Sequence, residues 1–184
     1  MSMVIDLHAH VVLEESFGAA GKYGPELSSD PKLQEFRVGD YAIRVPYKDS
    51  VFMDAQKRVD AMDSLGIDLQ LLSPNPLSFF GHIETEEALR FARASNDAMT
   101  KHIKPFPDRL LGAASVPLQN PEFACEELRR AVHDLGLIAA YIGTDYGFPL
   151  DHPKLDMFYE TVVDLDIPLP VSYTHLRAHE TEAY

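Results

Sequence analysis

The 184-residue chain has no tryptophan and a single cysteine, Cys125. One cysteine excludes an intrachain disulfide, and a reducing compartment, the cytoplasm, is the expected setting. Basic residues are scarce: 16 Lys and Arg stand against 29 Asp and Glu, for a formal net charge of -13. Such a surface lacks the basic patches that nucleic acid or an anionic membrane requires, so neither is expected as a partner. Small acidic substrates stay open, because one local arginine can override the global field. No stretch approaches the roughly 18 consecutive apolar residues of a membrane span, and no secretory leader pattern opens the chain. No GxGxxG turn follows an apolar run, and no GxSxG elbow or P-loop occurs, which removes the usual signatures of dinucleotide binding, serine hydrolysis and phosphate cradling.

What is present is alternation. Met3 to Leu7 reads as a buried first strand leading into IDLHAH. Residues 13–50 then break the pattern with Gly18, Gly21, Gly24, Pro25, Pro31 and Pro46, and are expected to form a long insertion loop serving as lid or substrate wall. From Asp54 the text is regular. AQKRVDAMDSLG has Val59, Met62 and Leu65 at helical spacing and stops on Gly66. IDLQLLSPNP reads as a strand, ETEEALRFARASNDAMTKHI as an amphipathic helix with an acidic first turn, and RLLGAASVPL as the next strand. NPEFACEELRRAVHDLG is a helix capped by Asn120 with Pro121 behind it, LIAAYIGTD a strand, DHPKLDMFYETVVDLD a helix, and IPLP the start of a fifth strand.

Strands alternating with helices of this length imply an α/β protein with parallel strands and right-handed crossovers. Nearly continuous apolar strands such as LQLLS and IAAYIG fit a sheet buried on both faces. Two architectures satisfy the pattern, a doubly wound sheet or a (β/α)8 barrel cut short, and the missing GxGxxG weakens the first. The expected fold is the N-terminal portion, about four and a half units, of a truncated TIM-type barrel.

In a strand, positions i and i+2 share a face, so Val4, Asp6, His8 and His10 are expected to point one way. At the C-terminal mouth of a barrel strand, His8 and His10 can offer two imidazole nitrogens to one zinc-like ion. A catalytic site then needs a further ligand. Two strand-end histidines bonded to backbone remain the plain alternative.

IDLHAH, the long loop, and then RVDAMDSLGIDLQLLSPNP resemble the amidohydrolase superfamily, more narrowly the branch of aminocarboxymuconate-semialdehyde decarboxylase and related aromatic-acid decarboxylases. SNDAMTKHIKPFPDRLLGAASVPLQNPEFACEELRRAV and YIGTDYGFPLDHPKLDMFYETVVDLDIPL are similar to the same family's third to fifth units, so the resemblance covers residues 3 to about 169. It implies His8 and His10 as metal ligands, one divalent ion (Zn2+, with Mn2+ as the other choice), and a small carboxylate as substrate. It also implies a third histidine after the fifth strand, near Ser172, with an aspartate and a catalytic histidine from later strands. His175 lies three residues beyond Ser172. The fourth strand ends IGTD without the carboxylated lysine of two-metal relatives, so a single metal is expected. Arg44, in DYAIRVPY, matches a loop arginine that faces the substrate carboxylate in the decarboxylases; an ordinary solvated arginine is the other reading.

The implied activity is non-oxidative decarboxylation of a small unsaturated or aromatic acid, with hydrolysis of the same superfamily as alternative and a homodimer as the full-length form. A phosphoesterase of the polymerase-and-histidinol-phosphatase type also opens on HxH, but needs further His/Asp clusters that Ile67 to Asp145 does not show. A non-catalytic fragment with weak metal binding is the remaining reading. The end of the chain, VSYTHLRAHET, resembles a translated sequencing-library adapter; residues 171–184 are expected to be a non-native scar after a native segment 1–170. Of the remaining candidates, Phe79 and Phe80 could wall a substrate or pack under a loop. His82, His102 and His133 are expected to be solvated, His152 to start a helix, and Cys125 to pack.

Overall fold

The computed structural model describes residues 3–30 and 33–172. The chain runs β1 (Ile5–Val11), β2 (Glu26–Leu27), β3 (Glu35–Val38), β4 (Tyr41–Arg44), α1 (Ala55–Leu65), β5 (Leu69–Pro74), α2 (Thr85–Ile103), β6 (Leu110–Ala114), α3 (Pro121–His133), β7 (Ala139–Ala140) and α4 (Asp156–Asp164). Local chemistry sets the helix ends. The Asp54 carboxylate accepts the Lys57 N–H at the start of α1, and Gly66 closes it with φ +67°, a conformation glycine adopts without strain. Asn120 accepts the Phe123 N–H at the start of α3, with Pro121 at its first position.

The main sheet is parallel in the order β1-β5-β6-β7. A fifth parallel segment follows: Ala140 donates to the Pro168 carbonyl at 3.2 Å, and Ser172 donates to Ile142 at 2.8 Å. This is the half-barrel order the alternation implied. Successive residues of each strand serve opposite faces. Leu72, Leu110, Ala114, Ala140 and Ile142 pack outward against Met62, Met99, Leu128 and Phe158 of the helices. Leu71, Ala113, Ala139 and Tyr141 turn inward with Phe79 and Leu111. Both faces are apolar because both are covered, as parallel sheets require. At the edge, β1 leaves Ile5 at 47% and Leu7 at 66% exposure.

Two expectations need correction. The run Met3 to Leu7, expected to be buried, is largely exposed at the sheet edge, and β1 continues past the two histidines to Val11. The insertion 13–50 is not a featureless loop. Its second half is an antiparallel sheet, β2-β3-β4, whose hairpin turns on Gly39 and Asp40 between Val38 and Tyr41. Phe36 and Val38 alternate inward and join Tyr47, Phe80 and Phe91 in a second core against α2. The cue was there: EFRV alternates, and Gly-Asp is a two-residue hairpin turn.

A buried ionic latch ties the helices to the sheet. Glu127 of α3, fully buried, accepts hydrogen bonds from Asn96 Nδ2 at 2.7 Å and from Arg130 at 2.8 and 2.9 Å. Asn96 also accepts the Ser115 N–H at 2.7 Å, which carries the latch from α3 through α2 to the end of β6.

Candidate metal centre

Pairing of β1 with β5 is irregular at the place that matters. Asp6 faces Gln70, and the next partners are Ala9 with Leu72, so β1 advances one residue more than β5. Such a bulge interrupts strict alternation and re-aims side chains. Asp6 therefore does not share the histidines' face as alternation predicts. Its carboxylate accepts from Gln70 Nε2 at 2.7 Å, and Gln70 in turn is held by Arg58 of α1 on the helix side. His8 and His10 stay together: their rings lie 4.8 Å apart, nearly edge to face at 75°.

His10 is half-buried and turned to the inner face, its ring 5.7 Å from that of Tyr141. Its Nδ1 is 3.0 Å from Ser73 Oγ, and the Ser73 hydroxyl donates to the Ala9 carbonyl at 3.2 Å. The hydroxyl has one proton to share among the Ala9 carbonyl, the Tyr141 hydroxyl and His10. Ser73, together with the Pro74 backbone, thus anchors the His10 ring, as outer partners anchor a metal-binding histidine. Burial first, then the charge of a protonated His8, holds the His10 imidazole below its ordinary pKa. The neutral form, the one a cation can use, is thereby favoured. The backbone N–H of His8 first, and Gln70 with lesser effect, keep Asp6 below the usual carboxylate range although burial opposes them.

The donor set fits a divalent ion in part. His8 and His10 offer two nitrogens, but among the described residues no group of three or more His, Cys, Asp or Glu side chains comes together. Ser172 stands at the end of the fifth strand, and its hydroxyl acts on Tyr141 from the inner face. His175 lies outside the described residues.

The other candidates fall as follows. Arg44 ends β4 in the small sheet, exposed, opposite Glu35, and no contact joins it to the imidazoles. Phe80 is core, edge-on to Phe91, whereas Phe79 faces inward 5.2 Å from Tyr141. The two readings of that pair thus divide between its members. His82 and His133 are exposed as expected. His102 is not: it is half-buried, its Nε2 is shielded without a hydrogen bond among the described residues, and burial followed by the charge of Arg58 lowers its pKa. His152 caps the turn before α4, its Nδ1 accepting the Lys154 N–H at 3.1 Å. Cys125 is buried against the Met157 carbonyl. Ser73, Tyr141 and Arg58 escaped the sequence reading. Ser73 and Tyr141 were findable, since Ser73 stands on β5 and Tyr141 directly after β7, both facing the His10 ring.

Comparison with known proteins now decides the family. Residues 5–181 match the amidohydrolase family model. The chain belongs to the amidohydrolase family. Among its relatives, the gamma-resorcylate decarboxylase of Rhizobium sp. strain MTP-10005 is 33% identical, over 93% of this chain and 51% of its own length. The 2-amino-3-carboxymuconate-6-semialdehyde decarboxylase of Dictyostelium discoideum is 30% identical, over 86% and 45%. The crystal structure of a dihydroxybenzoic acid decarboxylase from Polaromonas sp. JS666, with bound manganese and the inhibitor 2-nitroresorcinol, superposes with a TM-score of 0.70 at 29% identity. That match covers 95% of this chain and 51% of the other. The amidohydrolase chain thus spans about half the length of the curated relatives it matches. No helix among its described residues is long and apolar enough to cross a membrane.

Proposed function

We propose that this chain is the N-terminal half of a metal-dependent, non-oxidative decarboxylase acting on a small aromatic or unsaturated carboxylic acid. The observation that carries the reading is the imidazole pair, rings 4.8 Å apart, with His10 held through Nδ1 by Ser73 and its ring 5.7 Å from that of Tyr141. The decarboxylase names of its relatives and the manganese of the Polaromonas enzyme support it.

In this reading His8 and His10 hold one divalent ion, zinc or manganese. When bound, such an ion polarises a coordinated oxygen and orients a substrate carboxylate. Ser73 holds the ring of His10 through Nδ1. Tyr141 and Phe79 form an apolar wall on which a planar acid can lie, excluding water from one face. Arg44 pairs with the substrate carboxylate, its planar fork suiting a bidentate contact. The proton transfer that completes decarboxylation falls to residues of the barrel's other half. The assembled enzyme is a cytoplasmic homodimer, and residues 171–184 are foreign to it.

A second reading, weak metal binding without catalysis, applies to the 184-residue chain by itself, because its described residues bring only two donors together. The test is a full-length protein built on residues 1–170 and assayed for CO2 release from dihydroxybenzoates. Metal-dependent release, abolished by His10→Ala and showing a raised KM in Arg44→Ala, is expected. Hydrolytic activity without CO2 release would sink the decarboxylase reading.

A further inference from the structure

The bulge that brings His8 and His10 side by side removes part of the ladder that would otherwise hold them. A second set of contacts takes its place. The His8 N–H is taken by the Asp6 carboxylate, Oδ1, at 3.0 Å. The other oxygen, Oδ2, accepts from Gln70 Nε2 at 2.7 Å. Gln70 Oε1 accepts from Arg58 at 2.9 Å, and the same guanidinium donates to the His10 carbonyl at 2.6 Å. The chain of bonds leaves the backbone at one histidine and returns to it at the other. Its two middle members are buried, Arg58 and Gln70 each at 6% exposure.

We propose that Asp6, Gln70 and Arg58 are positioning residues: a side-chain clamp on the backbone of β1 that presets the spacing of the two imidazoles for a shared ion. Three observations converge on this. A buried arginine is costly unless its donors are used, and this one spends two of them on the strand that carries the histidines and on the glutamine behind it. The clamp touches the main chain at His8 and His10 and nowhere else along β1. Asp6 bonds within its own strand across the position where the ladder register slips, which is where backbone pairing cannot do the work. Residues one layer out from a metal commonly alter its affinity by about 10- to 100-fold without touching it.

The inference rests on the metal reading of His8 and His10, and the test separates the two. The probe is Mn2+ alone, titrated into the isotopically labelled 184-residue chain while the ring signals of all histidines are followed by NMR. In the unmodified chain Mn2+ broadens His8 and His10 together, at concentrations that leave exposed His133 sharp. Arg58→Met removes the clamp but also unburies packing, so Asp6→Asn, at the less buried end, carries the test. Asparagine offers one acceptor where aspartate offers two. However the amides at positions 6 and 70 flip, one donor then faces another, and apparent Mn2+ affinity at His8 and His10 falls about tenfold.

The double variant Asp6→Asn with Gln70→Glu reverses the polarity. The introduced asparagine keeps its oxygen for the His8 N–H and donates its amide to the introduced glutamate. The second oxygen of that glutamate stays free to accept from Arg58. Affinity returns, with unfolding midpoints recorded throughout. A clamp that is only structural leaves the Mn2+ response of both variants at the unmodified level, and that result overturns the proposal. A double variant as weak as Asp6→Asn overturns it too. Equal broadening of His8, His10 and His133 in the unmodified chain defeats the metal reading itself, and the clamp with it.

Discussion

Replacing Glu127 with alanine tests the frame on which the site is hung. The carboxylate is fully buried and takes hydrogen bonds from Asn96 and from two nitrogens of Arg130, with Arg93 Nε 3.4 Å away. Glu127, followed by Asp97, pushes the Arg130 guanidinium above its ordinary range. Removing one partner of a buried pair costs about 3–5 kcal/mol, because the survivors are left desolvated and unpaired. Here the arginines keep partial access to water, Arg130 at 28% and Arg93 at 44% side-chain exposure, so the lower end applies. We expect Glu127→Ala to lose about 3 kcal/mol, or roughly 6–12 °C in Tm for a chain of this size. Glu127→Gln keeps one acceptor and sets its amide against Arg130, for a loss of about 1–2 kcal/mol. Thermal unfolding followed by far-UV circular dichroism at neutral pH measures both. An alanine variant within about 1 kcal/mol of the parent would reduce the latch to an ordinary surface pair and refute the reasoning.

Other expectations follow from single positions. His102 has a folded pKa below its ordinary value, so the unfolded chain binds the proton more readily, and its contribution to stability is lost as pH falls below about 6.5. His102→Gln should flatten the loss of stability between neutral and mildly acidic pH; an unchanged slope would mean the buried ring does not matter. Gly81→Ala places a methyl 2.4 Å from the Asp145 backbone oxygen, which cannot step aside, whereas Gly143→Ala meets the Phe79 ring at 2.8 Å, which can. Both should destabilise within the roughly 1–3 kcal/mol range of overpacking, Gly81→Ala more, as denaturant midpoints will show. The reverse order would mean that the 79–81 turn yields more easily than the Phe79 side chain.

Most of the parallel half of the fold was legible, because its signals are local. Asp54, Asn120, Pro121 and Gly66 cap helices by chemistry that needs no tertiary partner, and the structure places those helix ends where the caps stand. The His8–His10 pair was legible for the same reason, a two-residue period at the head of a β/α series. What was hidden depends on neighbours distant in sequence. Arg58 sits among polar residues in QKRVD and reads as solvent-facing; only its bond to the His10 carbonyl, from a strand 48 positions earlier, explains its burial. The turn of Asp6 away from the histidines follows from a bulge, which leaves no mark in IDLHAH. His102 reads as the solvated end of an amphipathic helix, yet it is half-buried, lining a cavity with residues 12–15 and Asp54 and feeling the charge of Arg58. Arg44 keeps its two readings, since its exposed place on β4 neither joins nor blocks the inner face.

The central claim is that His8 and His10 are two ligands of a metal site whose third ligand, as the family resemblance implies, belongs near position 172. Calorimetric titration of Zn2+ into the parent chain, Ser172→His, and Ser172→His combined with His10→Ala tests it directly. The parent should bind weakly, Ser172→His should bind one equivalent distinctly more tightly, and the His10→Ala combination should lose that gain. Binding by Ser172→His no tighter than the parent, or a gain that survives the loss of His10, would contradict the account.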